Sequence, residues 1–242
     1  MKIFAIADLH LSFKDYVDQS NIDGAEVLKP MDVFGEKWDN HHVKIYGNWI
    51  KAIGDEDIVL IPGDISWALK LEEAKYDLAF LDILPGKKIL GKGNHDYWWQ
   101  SQKRIREMLS DKTEILYNNS IALYDNLVLC GSRGWISPNE TTFDDHDEKL
   151  YKRELIRLEN SLNKAPKGRD IIVMLHFPPV NNKHEKNELI ELMESYPVKH
   201  CIYGHLHDYS IAFRIEGVKW EIDFNLVSCD YLNFKPKQLF NK

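Results

Sequence analysis

Short apolar runs recur along the chain, each bounded by glycine or charge and rich in β-branched side chains. Runs of this kind are typical of strands that are buried on both faces, as in the parallel sheets of α/β proteins. They cover residues 3–7, 58–61, 89–90, 127–130, 171–175 and 201–203. This feature constrains the fold most, because a strand buried on both faces needs a helix or a second sheet on each side.

Helical periodicity lies between several of these runs. Residues 66–84 carry leucine and alanine at spacings of three to five, and residues 146–162 repeat leucine in a similar way after an acidic start. Acidic residues at the beginning of a helix interact favourably with its dipole. Shorter helices are predicted at 97–109 and 185–195. Helices alternating with buried strands indicate an α/β protein.

Two stretches, 120–131 and 220–232, instead resemble antiparallel strands. The whole pattern therefore predicts a mixed α/β protein with two sheets or one large mixed sheet. Nothing suggests a linker, and we expect residues 1–242 to form a single domain. Residues 12–47 are the least regular part of the chain, and we expect them to form an insertion that caps the functional site.

The composition is that of a globular protein, with 44% hydrophobic and 29% charged residues. A formal net charge of −7 repels nucleic acid and anionic membranes, so an anionic substrate needs a strong local positive source. Three separated cysteines suggest neither a disulfide framework nor a structural zinc site. Since no apolar stretch approaches the ~20 residues of a membrane span and no signal peptide is recognisable, we expect a cytoplasmic protein.

Polar side chains follow five of the apolar runs, where the strands are predicted to end. The carboxyl ends of parallel strands meet at the edge of a sheet where ligands bind. Five of the ten histidines lie at such ends, and chance placement of five, with two aspartates and an asparagine, is a poor explanation. The residues are Asp8, His10, Asp64, Asn94, His95, His176, His205 and His207.

These side chains form a set of metal donors. Imidazole nitrogen with carboxylate or amide oxygen, and without thiolate, suits Mn²⁺, Fe²⁺, Co²⁺ or Zn²⁺. Asp8 and His10 are two residues apart, as are His205 and His207, and this spacing returns extended side chains to the same face. Asp64 follows a glycine that permits a sharp turn, so it is our candidate for a carboxylate shared by two ions about 3.5–4 Å apart.

The ordered blocks D-x-H, G-D, G-N-H-D, H and G-H-x-H, spread from residue 8 to residue 207, resemble those of the calcineurin-like metallophosphoesterases. The resemblance implies a four-layer αββα sandwich with two mixed β-sheets flanked by helices. It also implies a binuclear enzyme that hydrolyses a phosphomonoester, phosphodiester or pyrophosphate bond of a small substrate. Its cofactors are expected to be two divalent ions, Mn, Fe, Zn or Co, with Mn favoured.

Matched residue by residue, the resemblance implies one metal at Asp8, His10 and His207 and another at Asn94, His176 and His205, with Asp64 shared. His95 is then the catalytic histidine. The mechanism expected from the resemblance is attack on the phosphorus atom by a metal-bridging hydroxide, with His95 protonating or hydrogen-bonding the leaving oxygen.

One position departs from a branch of the family. In the Ser/Thr phosphatases a carboxylate three residues after the bridging aspartate orients the catalytic histidine, whereas this chain has Trp67 there. The departure argues against a protein phosphatase. It leaves open whether Asp96, another side chain or no side chain orients His95.

Two residues are candidates for substrate binding. Arg133 follows a strand that should end near the same edge, where a guanidinium would suit phosphate, although a surface arginine is an equal alternative. Trp67 lies beside the metal loops and either stacks a nucleobase or belongs to the core.

Two other functions compete with hydrolysis of a small phosphate ester. A non-catalytic protein-binding scaffold on the same fold would not need the complete ligand set and His95. A nuclease is disfavoured by the acidic charge, so neither nucleic acid nor a membrane is expected as a partner. The oligomeric state is left open.

Overall fold

The computed structural model describes residues 1–124, 126–139 and 143–241, which contain two β-sheets. The first sheet consists of β1 (Lys2–Ala5), β2 (Ile58–Ile61), β3 (Lys87–Leu90), β4 (Thr113–Ile115) and the last strand, β11 (Lys237–Asn241). The second consists of β5 (Ile121–Tyr124), β6 (Leu127–Gly131), β7 (Asp170–Met174), β8 (Val198–Tyr203), β9 (Gly217–Lys219) and β10 (Ile222–Leu226).

Both sheets have parallel centres, with an antiparallel pair at one edge of the first sheet and at both edges of the second. In the order β11-β1-β2-β3-β4, only the pairing of β11 with β1 is antiparallel. In the order β5-β6-β7-β8-β10-β9, the pairs at both edges are antiparallel and the others are parallel. Both sheets are therefore mixed, as predicted.

Helices cover the outer faces of the two sheets. They are α1 (His41–Ala52), α2 (Leu71–Ile83), α3 (Gln102–Arg106), α4 (Asp145–Leu162) and α5 (Glu188–Glu194). The first three pack with the outward residues of the first sheet, and α4 and α5 pack with those of the second. A third cluster fills the space between the sheets.

The alternation along β1 shows how the layers are built. Ile3 and Ala5 belong to the cluster between the sheets, whereas Phe4 and Ile6 belong to the cluster under the helices. Successive residues of a strand point to opposite faces, so a strand between two apolar layers must be apolar throughout. The predicted four-layer αββα sandwich is confirmed.

Some local predictions were wrong at their ends. The helix predicted at 66–84 begins only at Leu71, and the one predicted at 97–109 is a single turn at 102–106. Within the stretch interpreted as antiparallel, β10 is antiparallel to β9 but parallel to β8. Strands β5 and β6 pair antiparallel as predicted, although Asp125 in their turn lies outside the described residues.

Residues 12–47 contain three short 3₁₀ turns, at Ile22–Gly24, Met31–Phe34 and Glu36–Trp38, and the first turns of α1. We did not predict α1, because two of its four buried residues, His41 and His42, are polar and weaken the apolar periodicity. Across the described part of the chain, we find no helix with the length and apolar character needed to traverse a bilayer.

Candidate metal centre

The eight polar residues predicted at strand ends lie at the carboxyl edge that the two sheets share. Loops from neighbouring strands of the first sheet bond to each other there: the Asp8 N–H donates to the Gly63 carbonyl and the His10 N–H to the Asp64 carbonyl, both at 3.0 Å. The second sheet is joined to these loops through His205, whose N–H donates to the Asp8 carboxylate at 3.0 Å. The edge is thus one connected structure.

Four of the donor residues have strained backbone conformations. Asp8, His10, Asp64 and His205 have φ values of 61°, 46°, 51° and 73°, a region that non-glycine residues rarely adopt. Each such residue costs about 1 kcal/mol or more, and strain of this kind persists where the surrounding bonds determine the conformation. The loops place side chains in positions that relaxed strands would not reach.

A glycine in the G-N-H-D block lets two loops meet. A Cβ atom at Gly93 would overlap the carboxylate and the backbone nitrogen of Asp64. The loops after β2 and β3 can therefore approach only if residue 93 has no side chain.

The first group of donors is Asp8, His10 and His207, whose nearest ligand atoms all lie within 4.8 Å of one another. Asp8 Oδ1 is 3.6 Å from His207 Nε2. Two buried ring nitrogens, His10 Nδ1 and His207 Nε2, have no hydrogen-bond partner among the described residues. Of these two, only His207 Nε2 faces a carboxylate of the group, so it is the nitrogen placed to share a cation with Asp8.

The second group is Asn94, His176 and His205. Asn94 Oδ1 lies 2.6 Å from His176 Nε2 and 2.9 Å from His205 Nδ1, and the two nitrogens are 3.3 Å apart. Burial lowers the pKa of His176, and it lowers the pKa of His205 to about 3, so both rings are neutral and carry lone pairs. Two donors about 2.1 Å from one ion with tetrahedral coordination are about 3.4 Å apart, which matches the separation of the two nitrogens, whereas Asn94 Oδ1 lies at hydrogen-bond distance from both.

Asp64 connects the two groups. Its Oδ2 atom is 3.5 Å from His176 Nε2 and 3.9 Å from His10 Nε2. Burial, with the negative charges of Asp96 and Asp8, raises the pKa of Asp64 well above its usual range. Three ligand atoms, one each from Asp8, Asp64 and His176, also lie within 4.8 Å of one another, so Asp64 joins a residue of the first donor group to a residue of the second. Nearby cations would relieve the repulsion between these buried carboxylates.

Two histidines are oriented by partners that the sequence did not reveal. His176 Nδ1 lies 2.9 Å from the Pro62 carbonyl, which therefore accepts its N–H and leaves Nε2 free to bind a metal. His207 Nδ1 lies 2.7 Å from Asp230 Oδ1. Although burial opposes protonation, Asp8 and Asp230 raise the pKa of His207 to about 10. These are the contacts that hold ligand histidines in known metal sites.

Asp230 could have been found from the strand pattern. It lies in the loop that follows β10, and β10 runs parallel to β8. Because residues 220–232 were interpreted as antiparallel, their carboxyl end was not placed at the ligand edge. Lys37 Nζ contacts the Asp230 and Asp208 carboxylates at 2.7 and 2.6 Å, and so ties residues 36–38 to this loop.

The carboxylate of Asp96 organises the loops and does not contact the His95 ring. It accepts N–H groups from Gly93, Asp64, Ile65 and Ser66, and from the Trp98 indole. His95 Nδ1 is buried and has no partner among the described residues. The His95 ring instead packs on Trp67, with centroids 4.4 Å apart.

A comparison with known protein families agrees with this geometry. The family model described as calcineurin-like phosphoesterase matches residues 1–209. The chain belongs to this family. It is therefore a metal-dependent hydrolase that acts on phosphoric ester bonds, and the Asp and His groups described above could bind its metals.

Relatives of this phosphoesterase include a Coxiella burnetii protein named "probable cyclic nucleotide phosphodiesterase", 28% identical over 88% of this chain and 79% of its own length. The phosphopantetheinyl hydrolase of Mycobacterium tuberculosis shares the fold, with a TM-score of 0.57 at 12% identity over 100% of this chain and 96% of that one. An Aquifex aeolicus protein of unknown function is also similar, with a TM-score of 0.47 at 19% identity, covering 98% and 95% of the two chains.

The two predicted substrate-binding residues of this phosphoesterase lie in different surroundings. Trp67 stacks on His10 at 4.8 Å and lines a cavity at the donor cluster. The Arg133 guanidinium lies 4.4 Å from the centre of the Trp135 ring, and its Nη2 is 3.8 Å from Glu154. It is not one of the converging donors, and its role in substrate binding stays a prediction.

Proposed function

We propose that this phosphoesterase hydrolyses a small phosphate ester at a pair of divalent cations held across the two sheets. The observation that carries the proposal is the position of Asp64 Oδ2, within 3.9 Å of a nitrogen from each donor group. A single carboxylate between two sets of buried imidazoles is the arrangement that a binuclear site requires.

In this proposal Asp8, His10 and His207 hold one cation, Asn94, His176 and His205 hold the other, and Asp64 binds both. The donors fit, because His207 Nε2 is buried beside the Asp8 carboxylate without a hydrogen-bond partner among the described residues, His10 Nε2 lies near Asp64, and no thiolate is present in either group. Bound cations would activate water near neutral pH and offset the charge of the phosphate. We favour Mn²⁺ and a cytoplasmic location, as expected from the sequence.

The proposed charge balance accounts for binding an anion on an acidic protein. Two dications carry four positive charges, and the ionised carboxylates of Asp8 and Asp64 contribute two negative charges. The site is therefore positive although the chain has a net charge of −7. Fields of this kind are focused by a low-dielectric cleft and attract anionic substrates.

We assign His95 the proton transfer to the leaving oxygen. Its backbone N–H donates to Asp64 Oδ1 at 2.8 Å, which ties the residue to the cluster. Its ring lies between Trp67 and Tyr97, with centroid distances of 4.4 and 6.2 Å. A residue held beside a cluster without being part of either donor group is placed to act on substrate.

Residues 12–47 support the proposal as a cap on the His95 side. Met31, Phe34 and Trp38 line the same cavity as His95. The Phe13 N–H donates to the buried Asp77 carboxylate of α2 at 2.8 Å, and Lys37 bonds to Asp230, so the segment is attached at two places.

The test is metal-dependent hydrolysis by the purified protein. Metal content is measured first, and then activity on p-nitrophenyl phosphate, bis-p-nitrophenyl phosphate and 3′,5′-cyclic AMP with and without Mn²⁺. Cyclic AMP is included because of the name of the Coxiella relative. We expect bound metal and metal-dependent release of product. A protein that binds no metal and hydrolyses none of these would be a scaffold. Single- and double-stranded DNA are assayed with Mn²⁺ in parallel, and cleavage of DNA alone would indicate a nuclease.

A further inference from the structure

Two of the cavities that border donor residues lie on either side of the segment 205–209, and a smaller one borders His176 beside Lys92 and Arg133. The His95 cavity, of about 180 Å³, is lined by residues including Met31, Phe34, Trp38, Trp67, His95 and His207. The His205 cavity, of about 350 Å³, is lined by residues including Ile136, Phe177, Val180, His205, Tyr209 and Phe213. The first therefore borders the group that contains His207, and the second borders the group that contains His205.

The segment 205–209 is the wall between the cavities. His207 and Asp208 line the His95 cavity, whereas His205, Leu206 and Tyr209 line the His205 cavity. A phosphate at the donor cluster thus has a separate space on either side of this segment.

His95 gives the two cavities different roles. The proton needed by a leaving oxygen comes from His95 in the proposed function, so the leaving group belongs in the His95 cavity. The described lining of the His205 cavity contains no lysine, arginine or carboxylate. That cavity is suited to an uncharged group that stays on the phosphorus atom, and it is not suited to a second phosphate.

The His205 cavity also presents aromatic side chains to solvent. Tyr209 is 85% exposed and Phe213 is 41% exposed, both on the 3₁₀ turn Asp208–Phe213, and Phe177 packs on His205 with centroids 4.3 Å apart. Aromatic rings stack with planar groups and bury a large area on contact. Each cavity is larger than the ~150 Å³ cavity that accommodates benzene in a protein interior.

We propose that the substrate is a linear phosphodiester with two separate organic substituents, of which an aromatic or nucleoside-like one occupies the His205 cavity. This rests on the proposed function. Water forms a bond to phosphorus, the bond to the substituent in the His95 cavity breaks, and that oxygen takes a proton. The monoester that remains keeps the substituent in the His205 cavity. A monoester has no group for this cavity, and in a 3′,5′-cyclic mononucleotide both ester oxygens belong to one sugar.

The experiment compares two substrates with the same leaving group. Thymidine 5′-monophosphate p-nitrophenyl ester has a retained nucleoside, whereas p-nitrophenyl phosphate has none, and both release p-nitrophenol. The Mn²⁺-loaded protein is compared with a Tyr209→Ala/Phe213→Ala variant and with Val218→Ala, a truncation of an exposed apolar residue on β9. Thermal unfolding checks that the variants fold.

We expect the wild-type protein to prefer the diester by about tenfold or more in kcat/KM. The double variant should lose about tenfold of this preference, chiefly through a higher KM for the diester, and Val218→Ala should keep it. Calorimetric binding of a non-hydrolysable phosphonate analogue of the diester should weaken by a similar factor in the double variant only.

Two failures are distinguishable. If the wild-type protein hydrolyses neither substrate in a metal-dependent way, the proposed function is wrong. If it hydrolyses the monoester as well as or better than the diester, or if the double variant keeps both the preference and the affinity for the phosphonate, only the assignment of the His205 cavity is overturned.

Discussion

The two sheets contribute different chemistry to the candidate site. The first sheet supplies every oxygen ligand of the proposal, since Asp8, Asp64 and Asn94 follow β1, β2 and β3. The second sheet supplies only imidazoles, from His176 after β7 and from the segment 205–207 after β8. Neither sheet by itself holds a complete set of donors. The site is therefore an interface between layers, and metal binding should depend on how the sheets pack.

Two of the three second-sheet histidines are held in place by residues of the first sheet. The second-sheet His176 is oriented by a carbonyl of the first-sheet residue Pro62, and the His205 N–H donates to the first-sheet residue Asp8. His207 differs, because its ring is oriented by Asp230, which follows β10 of its own sheet. Five predictions test this comparison, from the largest expected effect to the smallest.

Replacing the carboxylate shared between the layers should have the largest effect. Asp64→Asn removes a charge that both proposed cations would contact, so we expect turnover to fall by roughly 10³-fold or more, with loss of bound metal. Metal content and kcat/KM are measured on the same preparation. An Asp64→Asn protein that retains two metals and its activity would contradict the shared role.

His95→Asn should separate chemistry from metal binding. We expect turnover to fall by about 10²-fold while metal content is unchanged, because His95 is outside both donor groups. His146→Asn, at an exposed position in α4, is the matched control. Wild-type turnover in His95→Asn would remove the proton-transfer role, and loss of metal would make His95 a ligand.

Asp230→Ala tests the contact that lies within the second sheet. We expect metal affinity to fall by about 10–100-fold, the usual effect of removing a group that orients a ligand histidine. Titration with Mn²⁺, followed by calorimetry, measures it. Asp223→Ala, which removes the partner of the half-buried residue His200 away from the donor cluster, is the control. Equal affinities in wild type and Asp230→Ala would show that His207 needs no orienting carboxylate.

Removing the metals should lower the thermal stability of the protein, because the proposed cations bind residues of both sheets. A ligand at about 100 times its Kd stabilises the folded state by about 2.7 kcal/mol, which is a Tm change of about 5–10 °C for a chain of this size. Scanning calorimetry with Mn²⁺ and with a chelator gives the difference. The Asp64→Asn variant should show little of it, and an equal shift in that variant would place the stabilising ion elsewhere.

Asp77→Asn tests the attachment of residues 12–47 to the outer side of the first sheet. Burial raises the pKa of Asp77 to about 7, although Ser66 and the Phe13 N–H bond to it. The folded state therefore holds a proton that the unfolded chain releases near pH 4, and stability should fall as pH rises from about 4 to 7. The slope is at most about 1.4 kcal/mol per pH unit. The Tm of the wild-type protein and of Asp77→Asn is measured from pH 4 to pH 7. We expect Tm to fall less steeply with pH in Asp77→Asn, and an equally steep fall would show that other groups cause the pH dependence.

The sequence predicted the polar strand ends better than the helices. Residues that follow buried parallel strands are recognisable because a continuous apolar run stops at a polar residue, and the eight predicted residues lie at one edge of the structure. Helix α1 was missed because His41 and His42 are buried, a fact that their residue type does not indicate. Asp230 was missed because strand direction is not encoded in a run of four or five residues.

By itself, the sequence determined the layered α/β architecture, the set of donor types and the family, because these depend on local apolar runs and on short motifs. Only the tertiary structure decided how His95 is surrounded, which groups orient His176 and His207, and where the two cavities open. Those features depend on contacts between residues far apart in the chain, such as Asp8 with His205, and on the backbone strain that these contacts maintain.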